Sequence, residues 1–180
     1  MKRWLTPFGI ILIVAVVVSN TAAQESDRYM AAQRSELLAA AKTIIGKDPF
    51  PALVTIDLDG KPRTRTIEMR PLEDDWIFWF ATKPNTRKVN QIKANPKVAL
   101  YFSQDAEGSY VSVMGTATLH KDLKTINKIT WRKKAQRSEF WPAFPKDYLL
   151  IRVAPEWIEV TGQGIPAHPD NWRPQAFEAN

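Results

Sequence analysis

Between residues 52 and 81 the chain carries three strand-length runs, and the gaps between them are too short for a crossover helix. Ala52–Leu58 alternates Leu53, Thr55 and Asp57 against Val54, Ile56 and Leu58. Asp59-Gly60 follows, a pair that favours the positive backbone angles of a tight hairpin. Arg63–Met69 returns with Arg63, Arg65, Ile67 and Met69 on one face and Thr64, Thr66 and Glu68 on the other. Pro71–Asp75 is a second turn, and Trp76–Ala81 is an aromatic and β-branched third run. Parallel strands need a connection of about a dozen residues or more. These three therefore read as an antiparallel meander.

The rest of the chain fits around that start. Asp27–Ile45 places Met30, Leu37, Leu38, Ala41, Ile44 and Ile45 at helical spacing, with Gly46 as its stop. A second helix follows Asn85-Thr86 and ends at Asn95-Pro96. Val98–Ser103 is an apolar strand. Tyr110–Leu119 is a longer one, with Gly115 marking a bulge or bend. Asp122 caps a helix to about Ala135, with Leu123, Ile126, Ile129 and Trp131 inward. A strand over Tyr148–Val160 is interrupted at Ala154-Pro155-Glu156, and residues 162–180 form a loosely held tail. About six strands and three helices in this order predict an α+β domain, a closed or nearly closed antiparallel barrel with peripheral helices.

The N-terminus reads as an export leader. Lys2 and Arg3 precede an apolar run, Phe8–Val18, and Thr21 and Ala23 fit a small-x-small cleavage pattern. The run is shorter than the roughly 20 residues of a spanning helix. The expected product is a periplasmic or secreted protein cleaved after Ala23, with a single domain over residues 24–161. Membrane association follows only if the leader is retained. Removing residues 1–23 takes away Lys2 and Arg3 and no acid, so the net charge falls from +6 to +4. That balance is mild and dispersed, and does not point to nucleic acid. The chain has no Cys, which excludes thiol catalysis, disulfides and thiolate metal sites.

One turn has unusual chemistry. Thr82-Lys83-Pro84-Asn85-Thr86-Arg87-Lys88 joins the third strand to a helix, and Arg87 and Lys88 fall in that helix's first turn. Cations there oppose the helix dipole by a few tenths to about 1 kcal/mol. Free N–H groups, a hydroxyl and two cations suit a phosphate. The residues alone leave this reading and a solvated basic turn both open. In a meander, Arg65, Thr66 and Arg70 converge on the same anion. Trp79, Phe80, Tyr101, Phe102 and Tyr110 then offer either a wall for a flat ring or simply the barrel core. A phosphate clamp beside such a wall is the signature of a mononucleotide or flavin. Other motifs are weaker. Gly162-Gln163-Gly164 is no dinucleotide fingerprint. His120 and His168 lack metal-ligand spacing, and the acidic turns read as solvated. Arg132-Lys133-Lys134 and Arg137 read as a solvated helix end.

Taken together, the segments PALVTIDLDGKPRTRTI, WIFWFAT, NTRKVNQIKANPKVALYF, YVSVMGTATL and LLIRVAPEWIEV resemble the pyridoxamine 5′-phosphate oxidase-like, FMN-binding split-barrel superfamily, nearest its general-stress-protein branch. The resemblance runs from about Ser35 to Val160. It implies a six-stranded antiparallel split β-barrel and a homodimer with FMN in a cleft between subunits. It also implies flavin-mediated hydride or electron transfer with an unknown small molecule. The implied cofactor-binding residues are Arg65, Thr66, Ile67, Ala81, Thr82, Thr86, Arg87 and Lys88, with Tyr110 and the Trp131–Trp141 region against the partner's ring. No catalytic residue and no metal ligand is implied. The Arg- and His-containing C-terminal motif of the vitamin-B6 oxidases has no match in residues 162–180. The alternative on the same fold is a non-catalytic protein that binds flavin, haem or a deazaflavin.

Overall fold

The computed structural model describes residues 32–104 and 108–179. The expected leader and the first part of the expected first helix lie outside the described residues. Helix α1 (Arg34–Lys47) buries Leu37, Ala41 and Ile44 completely. Gly46, the expected stop, sits inside its last turn. The helix ends at Asp48 because Pro49 disfavours helical geometry in the residue before it.

Strands β1 (Ala52–Ile56) and β2 (Pro62–Thr66) form the expected hairpin, with Gly60 at φ +77°. The Asp57 carboxylate organises this turn. It accepts from the N–H groups of Asp59 and Lys61 and from Arg63 Nε at 2.6 Å. These contacts hold its carboxyl below the usual range, the Lys61 N–H most of all. There follow β3 (Phe78–Thr82), α2 (Arg87–Ala94), β4 (Lys97–Gln104), β5 (Ser109–His120), α3 (Leu123–Ile129), α4 (Lys134–Phe140), β6 (Leu149–Thr161) and β7 (Gln175–Glu178).

The sheet order is β2-β1-β4-β5-β6-β3, with β7 also on β6, and every pair is antiparallel. The meander expectation is therefore corrected. β3 pairs with β6, from Phe78↔Val153 to Thr82↔Leu149, and not with β2. Only the bridge Met69↔Phe80 and the bond from Arg70 N–H to Trp79 O connect β3 to the continuation of β2. The sheet curls without closing, and the barrel is split, with seven strands rather than six. β3 is buried on both faces. Phe78 and Phe80 enter the main core, while Trp79 and Ala81 pack with Ile126, Trp141, Tyr148 and Leu150 beneath α3 and α4.

Other boundaries shift for local reasons. Trp76, expected to open the third strand, has φ +56°, a left-handed conformation that cannot continue a ladder. The single helix expected over 122–135 is two. α3 is capped by the Asp122 carboxylate on Thr125 N–H, and ends at Thr130, whose hydroxyl donates to Ile126 O. Ile126 is buried, but Leu123 is exposed. β6 runs unbroken through Pro155. Its pairing with β5 slips there: Met114 faces Trp157 and Gly115 faces Pro155, so Glu156 is the extra residue of a bulge beside Pro155, which has no N–H to donate. A Cβ at Gly115 would stand 2.2 Å from Ala154 O, so the close strand approach requires glycine. The tail is not loose. Gln175, Ala176 and Phe177 are buried, and β7 pairs from Trp157↔Glu178 to Val160↔Gln175. The Phe177 ring meets Trp76 edge-on, and Arg34 lies over its face.

Candidate functional site

The basic turn between β3 and α2 faces the end of β2. β1 and β2 share one register, Leu53↔Arg65, so Arg65 lies on the buried face with Leu53 and Thr55. Arg65 is half-buried. Its Nη1 donates to Thr55 Oγ1 at 2.6 Å and to Leu53 O at 3.3 Å, and its Nη2 donates to Gln91 Oε1 at 3.0 Å. Thr55 also donates its hydroxyl hydrogen to Gln91 Oε1 at 2.7 Å. Gln91 comes from α2, one turn after Arg87 and Lys88. α2 thus brings its two cations to the guanidinium of β2.

Lys88 is half-buried, and its Nζ donates to the Thr82 hydroxyl at 3.0 Å. Thr82 Oγ1 lies 3.4 Å from Thr86 Oγ1. Thr86 occupies the N-cap position of α2, yet its side chain caps nothing. The hydroxyl donates to Lys83 O at 3.2 Å instead. The first-turn N–H groups of α2 therefore have no side-chain acceptor, and no acid stands in that turn. Arg87 is exposed beside them.

The electrostatics are one-sided. Burial, and then the charge of Arg87, pull Arg65 below the usual arginine range. Burial, and then the charge of Arg65, pull Lys88 below the usual lysine range. Among the described residues the ion pairs engage Lys42, Arg63, Arg70, Lys97 and Arg132, but none engages Arg65, Arg87 or Lys88. All the protein acceptors that hold Arg65 and Lys88 are neutral. Three cations, hydroxyls and open helix N–H groups gathered without a carboxylate can bind an anion of high charge density, above all a phosphate.

The sequence-predicted residues divide. Arg65, Thr82, Thr86, Arg87 and Lys88 form the cluster. Ile67 lies in the main core, Ala81 packs toward the second core cluster, and Thr66 is exposed on the opposite face from Arg65, paired with Ala52. Arg70 does not join. It falls on the other side of the chain from Arg65 and pairs with Glu73. The aromatic residues also divide. Phe80 and Phe102 are core, Trp79 packs in the second cluster beside His120, and Tyr101 stacks on Tyr110 with centroids 5.4 Å apart. Of these five aromatic residues, Tyr101 is exposed and Tyr110 partly so.

The solvated reading of Arg132 and Arg137 is also corrected. Arg132 pairs with Glu68 and lies over Phe140 and Trp141, at 5.2 and 5.4 Å from their centroids. Arg137 lies 4.7 Å from the Phe144 centroid. Their guanidinium groups lie over aromatic rings, which a run of charges in a sequence does not reveal. Gln91 and Thr55 were missed altogether. The available signal was a polar residue one turn after the Arg87-Lys88 pair, and a threonine on the apolar face of β1.

Comparison with known proteins bears on the family and the fold. Residues 37–162 match the family model described as Pyridoxamine 5′-phosphate oxidase. A pyridoxine/pyridoxamine 5′-phosphate oxidase of Streptomyces avermitilis is 30% identical over 161 residues, covering 86% of this chain and 71% of that one. One from Crocosphaera subtropica is 32% identical over 90 residues, covering 50% of this chain and only 42% of that one. Among solved structures, the fold is shared with a Clostridium acetobutylicum protein related to general stress protein 26. The TM-score is 0.66 at 18% identity, over 82% of this chain and 96% of that one. It is also shared with General Stress Protein 26 of Bacillus anthracis. There the TM-score is 0.61 at 23% identity, over 79% and 98%. With this split barrel, this basic turn and a family match over most of its length, the chain belongs to the pyridoxamine 5′-phosphate oxidase family.

Proposed function

We propose that the protein is an exported FMN-dependent oxidoreductase that holds the cofactor's phosphate at Arg65, Thr82, Thr86, Arg87 and Lys88. The observation that carries this reading is the convergence of three cations on neutral partners alone. Such a cluster costs stability in the free protein and is relieved by a dianion. We assign Thr66, Ile67 and Ala81, which neighbour the cluster along β2, its continuation and β3, to contacts with the flavin. FMN supplies hydride or electron transfer at that ring. The chain's own residues bind the phosphate, orient the cofactor and screen it from water. We further propose a homodimer, because within one chain the ring-facing wall is missing. Phe80 and Phe102 are spent on the core, and the stacked pair Tyr101 and Tyr110 faces outward. The reacting partner is a small molecule, and B6 oxidation itself is disfavoured by the unmatched tail.

Replacing Arg87 and Lys88 together with Ala tests the assignment. Both lie on a helix surface away from the main core, so the circular dichroism spectrum should be unchanged while FMN binding is lost. Wild-type affinity in the double variant would sink the assignment.

A further inference from the structure

We propose that Gln91 and Thr55 are positioning residues, which aim the Arg65 guanidinium at the ligand's phosphate through neutral acceptors and so leave its charge unspent. The proposal rests on the flavin-phosphate reading above. An arginine carries five N–H donors. Here three hydrogen bonds go to protein oxygens, on Thr55, Leu53 and Gln91, leaving two N–H groups without a partner among the described residues. Thr55 is fully buried and Gln91 is 6% exposed. Burying two polar side chains in a barrel core is costly unless each is satisfied. They satisfy one another: the Thr55 hydroxyl hydrogen goes to Gln91 Oε1, and its lone pair receives Arg65. The guanidinium is thus locked from behind by a unit built from two elements, β1 and α2.

The residue type matters as much as the position. A glutamate in place of Gln91 would make the same contact to Arg65 and bind it more firmly as an ion pair. It would also cancel the charge that the phosphate requires. Lys88 follows the same rule, since its partner is the Thr82 hydroxyl and not a carboxylate.

The test uses the full chain and two ligands that differ only in the phosphate, FMN and riboflavin, titrated by quenching of flavin fluorescence, with the unfolding temperature of each variant measured without ligand. Gln91→Glu should lower FMN affinity by about tenfold or more, the loss of roughly one charge-assisted bond. It should leave riboflavin affinity unchanged and the unfolding temperature of the free protein equal or higher. Thr55→Val should lower FMN affinity by a smaller factor, and Thr55→Ser, which keeps the hydroxyl, should restore it. Gln91→Glu with wild-type FMN affinity overturns the proposal. So does a variant that loses FMN and riboflavin alike, or that loses FMN together with a fall in unfolding temperature, since either marks a merely structural role. A wild-type protein that fails to prefer FMN over riboflavin overturns the phosphate reading itself, and is told apart because it fails before any variant is made.

Discussion

Replacing Lys88 with Met should change the stability of the free protein little and weaken its hold on the ligand. Lys88 is half-buried in the first turn of α2, where its cation opposes the helix dipole, beside Arg65 and with no acid in reach. Removing the charge gains about 0.3–1 kcal/mol from the dipole. Relief of repulsion between two partly solvated like charges adds about 1 kcal/mol. Against this, the lost charge-assisted bond to Thr82 costs about 1.5–3 kcal/mol. Met keeps the apolar stem, so little packing is forfeited. The terms nearly offset, from a loss of about 1.7 to a gain of about 0.5 kcal/mol, so the unfolding temperature of the free protein should shift by only a few degrees. FMN affinity should fall by about 10- to 100-fold, since a charge-assisted bond is worth about 1.5–3 kcal/mol. The pH dependence has a definite sign. Because the folded protein lowers the Lys88 pKa, the destabilisation is complete at neutral pH. It fades as pH rises through that lowered value toward the ordinary lysine range, so wild type gains stability relative to Lys88→Met in alkaline buffer. Scanning calorimetry without and with FMN reads both effects. A loss of more than about 3 kcal/mol in the absence of ligand, or unaltered FMN affinity, would refute the reasoning.

Two further outcomes test the frame around the site. Gly115→Ala should destabilise by about 1–3 kcal/mol, because its Cβ would meet the Ala154 carbonyl oxygen at 2.2 Å; chemical denaturation with an unchanged midpoint would show that the strands simply separate there. Phe177→Ala should cost about 3–5 kcal/mol and release β7, since this ring is buried against Trp76 and the main core; hydrogen exchange at Gln175–Glu178 no faster than in wild type would contradict that placement.

Local chemistry made part of this molecule readable. Asp59-Gly60 names its own turn, Gly115 marks the point of β5 where the neighbouring strand comes too close for a side chain, and Thr82–Lys88 stands out by putting cations where a helix disfavours them. Pairing across long stretches of chain was not readable. β3 is apolar on both faces, so no alternation reveals which edge it joins. Sequential neighbours suggest β2, but the burial of Trp79 beneath α3 and α4 requires β6. β7 escaped notice because Gln175-Ala176-Phe177 is short and sits among prolines, and only contact with α1 and β6 makes it a strand. Arg132 escaped because its partners, Glu68 and the rings of Phe140 and Trp141, include a residue 64 positions away in the chain. Gln91 and Thr55 illustrate a different loss. Each looks ordinary on its own element, and the meaning arises only when α2 crosses β1 and Arg65 falls between them.

The most direct test of the central claim is a titration of the purified full chain with FMN, followed by visible absorption, in buffers without and with inorganic phosphate. The structure predicts a shifted flavin band and tight binding that inorganic phosphate weakens by competing for Arg65, Arg87 and Lys88. Absence of binding, or binding indifferent to phosphate, would contradict the account and move the ligand away from this cluster.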